Sequence, residues 1–258
     1  MSDRIPYDTC PLCGCCVLPD YCTVDCSAHP LYTEGLSPEM RWKECADCGH
    51  IFTEGYFTEE ACRLLFSRTN EHQQPGHNAE ALRPISSRMV EKVLPFAAGG
   101  CWLDVGFGNG SLLFTAREYG FAPIGVDVRS ESVDAISTLG IEAHCCTLEH
   151  LTLREPCAVV SLADVLEHMP FPRQGLQVAH RLLADSGVLF VSMPNMDCVP
   201  WILLDQEGIN PYWAELEHYH NFSRDRLYRL LRQAGFEPVH YGVSERYRLG
   251  MEVVARKL

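Results

Sequence analysis

The chain has no run of apolar residues long and uncharged enough to span a bilayer. Its first residues, among them Ser2, Asp3 and Asp8, lack the basic-then-apolar order of a secretory leader. Basic residues are scarce as well. The net charge is −13, and up to residue 60 only Arg4, Arg41 and Lys43 stand against eleven Asp and Glu. A phosphate backbone is bound by clustered Lys and Arg, so the composition argues against a nucleic-acid partner, above all at the front. Neither an internal repeat nor a low-complexity tract is present. What remains is globular: 258 residues, 47% hydrophobic, enough for one large core or one core with a small satellite.

Cysteine is the exception. Fourteen are present, eight of them before residue 50. In a small secreted protein that count would mean disulfides. In a chain of this size that opens without a leader it points to metal and to a reducing, cytoplasmic setting. Cys10-Pro-Leu-Cys13-Gly and Cys45-Ala-Asp-Cys48-Gly are paired knuckles, each holding two thiolates on a turn that glycine allows to close. Together they supply the four soft ligands that tetrahedral Zn2+ takes, so residues 1–56 are expected to form a zinc-ribbon domain. A redox C-x-x-C would not account for two copies. Cys15, Cys16, Cys22, Cys26 and His29 lie between the knuckles, either as ligands of a second metal or as incidental thiols and packing.

Residues 57–84 read as a helical linker or lid. Thr58-Glu59-Glu60 caps a helix over Ala61–Phe66, and Asn70–Asn78 is polar and broken by Pro75-Gly76. Pro84–Leu94 shows helical spacing at Ile85, Met89, Val90 and Val93. From Cys101 onward strand and helix patterns alternate, which predicts a parallel sheet covered on both faces. Strands are expected near 101–106, 123–128, 142–147, 157–163 and 187–193, with helices near 110–119, 130–138, 173–184 and 223–234. Ser130 and Ser223 read as caps and Gly120, Gly140 and Gly235 as stops. Strands near 237–243 and 247–256 complete the pattern.

The stretch Cys101–Gly110 carries the most information. An apolar strand climbs to Asp104, then Gly106, Gly108 and Gly110 strip the turn of side chains before a helix begins at Ser111. A ligand can lie against such a backbone. Ser111 stands where the dinucleotide fingerprint has its last glycine, and a carboxylate beside the loop suits a cationic ligand better than a pyrophosphate. Asp127 ends the next strand about twenty residues on, where an acidic side chain accepts ribose hydroxyls. Phe107 and Asn109 read as turn positions with little side-chain duty.

With Gly125-Val126-Asp127, Asp164-Val165-Leu166-Glu167-His168 and Gly187–Asn195, this stretch resembles the class I S-adenosylmethionine-dependent methyltransferases over residues 85–258. The resemblance implies a Rossmann-like seven-stranded α/β sheet with an antiparallel hairpin at one edge. It implies cofactor contacts at Asp104, Gly106, Gly108, Gly110, Asp127 and Asp164, with Thr147 and Leu148 at the adenine edge. A zinc ribbon ahead of such a domain resembles bacterial methyltransferases of glycan and natural-product assembly. The Asn/Asp-Pro-Pro-aromatic tetrad of base-amine methyltransferases is missing.

Glu167 and His168, with His218, are the candidate catalytic residues. Two chemical accounts stay open beside a structural, turn-capping one. In the first, His168 or a neighbouring His removes a proton from a hydroxyl or an acidic carbon. In the second, Asp164, Glu167, His168 and His218 hold a divalent cation such as Mg2+. The sequence Acid-x-x-Glu-His resembles the metal motif of ubiquinone-pathway and small-RNA O-methyltransferases, with Asp164 where those families usually carry Glu. His220 reads as surface or packing. Residues 196–216 form an insertion whose Trp201, Tyr212 and Trp213 either roof a substrate pocket or pack the insertion onto the sheet.

The resulting expectation is a cytoplasmic enzyme that methylates a small or carrier-linked acceptor, most readily an oxygen on a sugar, polyketide or phenol. Its rivals are an inactive cofactor fold docking a protein partner through the ribbon, and a dinucleotide-dependent redox enzyme.

Overall fold

A computed structural model describes residues 3–65 and 73–258. The chain divides into two compact units. One comprises Met1–Thr69, Glu167–Pro172 and Asn195–Arg226; the other comprises Asn70–Leu166, Arg173–Pro194 and Leu227–Leu258. The front unit therefore gathers two segments from beyond residue 85, where the sequence pattern alone suggested a single second domain.

In the front unit β1 (Arg4–Pro6) pairs antiparallel with β5 (Gly55–Phe57). A second sheet has the order β11-β4-β3-β2, built from β2 (Asp20–Asp25), β3 (Glu39–Glu44), β4 (Ile51–Thr53) and β11 (His220–Asn221). Its outer strand follows the 196–216 insertion, with His220 opposite Phe52 and Asn221 opposite Ile51. The insertion aromatics complete this attachment. Trp42 is fully buried and donates its indole N–H to the Trp213 carbonyl at 2.8 Å, while Trp213 donates its own to Asp205 at 2.7 Å. Trp201, on α6 (Val199–Gln206), packs edge-on against Trp213 at 5.4 Å and at a tilt against Tyr212 at 5.2 Å. These rings serve the front unit's core. Helix α1 (Glu59–Leu65) starts as expected, with Thr58 Oγ1 accepting the Ala61 N–H at 3.2 Å. Phe66, expected as its last residue, lies outside the described residues.

The second unit holds a seven-stranded sheet of order β12-β13-β10-β9-β6-β7-β8. Its strands are β6 (Gly100–Val105), β7 (Phe121–Asp127), β8 (Glu142–Cys145), β9 (Cys157–Ala163), β10 (Leu183–Pro194), β12 (Phe236–Val243) and β13 (Gly250–Lys257). The first five run parallel, and β13 lies antiparallel to both β10 and β12. Strand β6 has β7 on one side and β9 on the other, so strand order reverses beside it. Open α/β sheets bind ligands at that reversal, outside the carboxyl ends of the strands. A disulfide joins Cys101 of β6 to Cys157 of β9, a pairing outside the metal reading of the cysteines.

Most helices fall where periodicity placed them: α3 (Ser111–Glu118), α4 (Ser130–Thr138), α5 (Pro172–Leu182) and α7 (Arg224–Gln233). Ser223 caps α7 through its Oγ, which accepts the Arg226 N–H at 3.1 Å. Ser130 does not cap α4; it is the first helical residue, and Arg129 takes the cap position without a side-chain bond. Helix α2 (Ala79–Val93) begins before Pro84 and carries that proline in its second turn. Of the polar Asn70–Asn78 segment, residues 70–72 lie outside the described residues. The remainder is anchored on the glycine turn, the Gly76 N–H donating to the Asn109 carbonyl at 2.9 Å. Among the described residues no helix is long and apolar enough to cross a membrane.

Candidate functional site

The glycine turn after β6 takes positive φ at all three glycines: +62° at Gly106, +56° at Gly108 and +78° at Gly110. The three are not equivalent. A Cβ on Gly106 would fall 2.9 Å from Val165 and one on Gly110 2.5 Å from Ile136, so protein fills those spaces. A Cβ on Gly108 would meet nothing nearer than the Gly106 carbonyl, at 3.9 Å. Of the three, only Gly108 has open space on the side where a side chain would stand. Phe107 is not idle: it is buried and packs with Leu113, Ile136 and Ile141 beneath the turn. Asn109 also works, its Oδ1 accepting the Ser111 N–H at 3.1 Å where the helix starts without another cap.

Three carboxylates stand at this edge. Asp104 is buried at the end of β6 and accepts a 2.6 Å hydrogen bond from Ser161 Oγ. Burial pushes its pKa up to about 6, against the pull of Ser161 and Arg246, with Asp127 and Asp164 adding repulsion. Asp127 closes β7 and is gripped by Arg129, which in turn reaches Gln73 Oε1 at 2.8 Å. The Gly108 N–H points to Asp127 Oδ2 at 3.4 Å. Asp164 follows β9 with φ +60°, a left-handed conformation uncommon outside glycine and held here by Ser192. Its N–H donates to the Ser192 carbonyl at 2.9 Å and its Oδ1 accepts from Ser192 Oγ at 2.8 Å. Leu148 is buried at the head of a short 3-10 turn, and Thr147 Oγ1 lies 2.9 Å from His150 Nδ1. Cys145 is exposed at the end of β8, an edge strand of the sheet.

The front unit carries two further groups. The sulfurs of Cys10, Cys13, Cys45 and Cys48 all lie within 4.8 Å of one another, with Cys10–Cys48 at 3.8 Å and Cys13–Cys45 at 3.4 Å. A tetrahedron with Zn–S of about 2.3 Å has edges of about 3.8 Å, so the donors suit zinc. Gly14 and Gly49, at φ +80° and +65°, close the knuckles. Cys15, Cys16, Cys22, Cys26 and His29 form no second metal group among the described residues. His29 instead donates from Nε2 to Glu215 at 3.0 Å, because its Nδ1 accepts the Leu31 N–H.

The other group is Glu167, His168 and His218, whose ligand atoms also lie within 4.8 Å of one another. Asp164, expected with them, is not among them; it belongs to the sheet unit, bonded to Ser192 and Arg246. His168 Nδ1 sits 2.9 Å from the Glu217 carbonyl. A carbonyl only accepts, so Nδ1 carries a proton, and in the neutral ring Nε2 is the nitrogen with the lone pair. His218 is buried beside it, and burial together with His168 holds its pKa well below the ordinary range. His220 is also buried, in line with packing, the second of its two readings. Its Nε2 donates to the Met169 carbonyl at 3.0 Å, leaving Nδ1 to accept from His50 at 3.0 Å.

Residues 72–241 match the family model described as a methyltransferase domain. The chain belongs to the methyltransferase-domain family. Among curated proteins it is 31% identical over 135 residues to the ubiquinone biosynthesis O-methyltransferase of Haemophilus ducreyi, covering 48% of this chain and 57% of that one. The corresponding enzyme of Idiomarina loihiensis is 27% identical over 130 residues, covering 47% and 54%. The chain thus spans about half the length of the curated relatives it matches. Among solved structures, Burkholderia thailandensis 1,6-didemethyltoxoflavin-N1-methyltransferase, bound to 1,6-didemethyltoxoflavin and S-adenosylhomocysteine, superposes with a TM-score of 0.57. It is 20% identical and covers 82% of this chain and 97% of that one. Magnesium protoporphyrin IX methyltransferase from Synechocystis superposes at 0.53, with 16% identity and 70% and 84% coverage. Such identities speak for the fold alone.

Sequence reasoning missed Ser161, Ser192, Arg129 and Arg246. Arg129 was within reach, since a basic residue two positions after Asp127 can fold back on it. Ser161 and Ser192 meet their carboxylates across strands, and Arg246 reaches Asp164 from the β12–β13 connection.

Proposed function

We propose that this methyltransferase methylates an oxygen of a small-molecule or carrier-linked acceptor, such as a hydroxyl of a sugar, polyketide or phenol. S-adenosylmethionine, when bound, supplies an activated methyl, so alignment carries most of the rate. Asp127, oriented by Arg129, accepts the ribose hydroxyls. Gly106 and Gly110 set the turn, Gly108 admits the ligand, and Thr147 with Leu148 borders the adenine. Asp104 and Asp164 offset positive charge.

A hydroxyl acceptor must lose a proton. The observation that carries the oxygen reading is the tautomer of His168, whose Nε2 lone pair is set by the Glu217 carbonyl. Glu167 and the neutral His218 stand beside it. The names of the curated relatives support oxygen over nitrogen. The same three residues also support a second reading, a divalent cation that acidifies the hydroxyl. Two imidazoles and one carboxylate suit a zinc- or manganese-like ion better than Mg2+, which prefers oxygen ligands. At Cys10, Cys13, Cys45 and Cys48 we assign structural Zn2+.

The test is transfer of a labelled methyl from S-adenosylmethionine to a panel of hydroxyl and amine acceptors. Label is expected in hydroxyl acceptors, and His168→Ala should lower kcat by about 10²–10⁴ with cofactor affinity kept. Label in amines alone would overturn the reading. A weak chelator that spares the four-cysteine site, followed by add-back of Mn2+, Zn2+ or Mg2+, separates base from cation.

A further inference from the structure

The connection between β12 and β13 brings a cation to the carboxyl edge of the sheet. Gly250 of β13 pairs with Pro194 at the end of β10, so residues 244–249 stand where the parallel strands finish. This loop is firmly built. Glu245 N–H donates to the fully buried Glu252 at 2.8 Å, and the Glu245 carboxylate is held by Arg88 at 2.6 Å and Lys92 at 2.8 Å. Ser244 Oγ accepts the N–H groups of Arg246 and Tyr247, each at 3.2 Å. The backbone under Arg246 is therefore fixed by contacts that leave its guanidinium out.

That guanidinium is mostly covered, with 22% of the side chain exposed, and its Nη1 lies 3.4 Å from Asp164 Oδ2. A charge-assisted pair in good geometry is shorter, about 2.7–2.9 Å. Arg246 also acts on buried Asp104, favouring its charged form. Arg129 differs: it is committed to Asp127 through two short bonds at the other end of the glycine turn. Arg246 is thus the loosely held cation at the Asp104–Asp164 end.

S-adenosylmethionine carries an ammonium, a sulfonium and one anion, its α-carboxylate. The first two suit an edge lined by Asp104, Asp127 and Asp164. The third would be repelled there unless a cation met it, and in a covered site that repulsion is large. A guanidinium presents two parallel N–H donors that match a carboxylate. We propose that Arg246 receives the α-carboxylate of the cofactor, with Asp164 holding it in place beforehand. Arg246 is then the residue by which this chain tells S-adenosylmethionine from its decarboxylated analogue. This role rests on the cofactor and is independent of the acceptor.

The experiment is calorimetric titration of the full chain with S-adenosylmethionine and with decarboxylated S-adenosylmethionine, which lacks only that group. Wild type should prefer the former by about 10–100-fold, the worth of a hydrogen-bonded charge pair. Arg246→Met should lose about that factor for S-adenosylmethionine and stay within about twofold for the analogue, erasing the preference. Arg246→Lys should recover part of it, and thermal unfolding without ligand confirms that each variant is folded. A preference that survives in Arg246→Met, or an equal loss for both ligands, overturns the proposal. So does a wild type that binds both alike. A wild type that binds neither overturns the cofactor assignment itself.

Discussion

Arg129 closes on Asp127 with two arms of its guanidinium, Nε to Oδ1 at 2.9 Å and Nη2 to Oδ2 at 2.7 Å. A bidentate pair fixes the plane of the carboxylate as well as its place. Asp127→Ala should weaken S-adenosylmethionine binding by about 10–100-fold, because two hydroxyls lose a charged acceptor. Arg129→Met should weaken it less, since the acceptor remains and only its orientation is lost. Calorimetry measures both, and equal affinity in Asp127→Ala and wild type would remove Asp127 from the site.

As a cofactor contact, Asp104 should make stability and cofactor binding respond to pH in opposite senses. Its pKa is about 6 in the fold against an ordinary value of 3.8. The folded state holds the proton more tightly, so stability without ligand falls as pH rises from about 4 to about 6, by about 3 kcal/mol at most. Asp104→Asn should therefore be the more stable form at about pH 7.5 and lose that advantage at about pH 4. A cationic ligand prefers the ionised carboxylate, so S-adenosylmethionine should bind more tightly as pH rises through about 6 in wild type. The Asp104→Asn variant should show a flat profile. Calorimetry across that range and denaturation without ligand measure the two effects, and a wild-type affinity that ignores pH would count against Asp104 as a cofactor contact.

Phe107 occupies the space that a side chain on Gly125 would need. A Cβ there would fall 2.6 Å from Phe107 Cδ1 and 3.0 Å from Leu113. Gly125→Ala should cost about 1–3 kcal/mol in chemical denaturation, the usual range for overpacking. Phe107→Leu, which thins the ring, should recover part of the loss in the double variant. Additive losses would place the strain elsewhere.

The four cysteines should hold one Zn2+ per chain. Cys45 is buried and its N–H bonds the His50 carbonyl at 2.9 Å, so the knuckle is joined to the sheet beside β4. Cys45→Ser should abolish the zinc seen by elemental analysis and expose residues 1–69 to protease, as should a strong chelator on wild type. Metal binding and folding are one equilibrium in such sites. A protease-resistant front unit without zinc would contradict this.

Local signals were enough for much of the architecture. The alternation from Cys101 onward, the glycine turn, the carboxylates closing two strands and the two knuckles each depend on neighbours in sequence, and periodicity or turn chemistry reports them directly. The same logic misjudged Ser130, because a cap depends on which residue leaves the helix rather than on residue type alone. It misjudged Phe107 and Asn109, because nothing in a turn's sequence shows what lies beneath it.

The class of fold, the glycine turn with Asp104 and Asp127, and the four-cysteine cluster are all written in the order of residues. They follow from spacings of a few positions or from motifs that chemistry restricts. Long-range packing settled the rest. It placed residues 195–226 with the front unit, through the pairing of β11 with β4 and the seating of Trp213 on Trp42. It separated Asp164 from Glu167, His168 and His218, three residues apart in sequence at the nearest yet in different units. It also brought Arg246 to Asp164 from the far hairpin. Each of these pairings spans a sheet edge or a long loop, where the energy lies in contacts between distant segments and leaves no periodic trace in the chain.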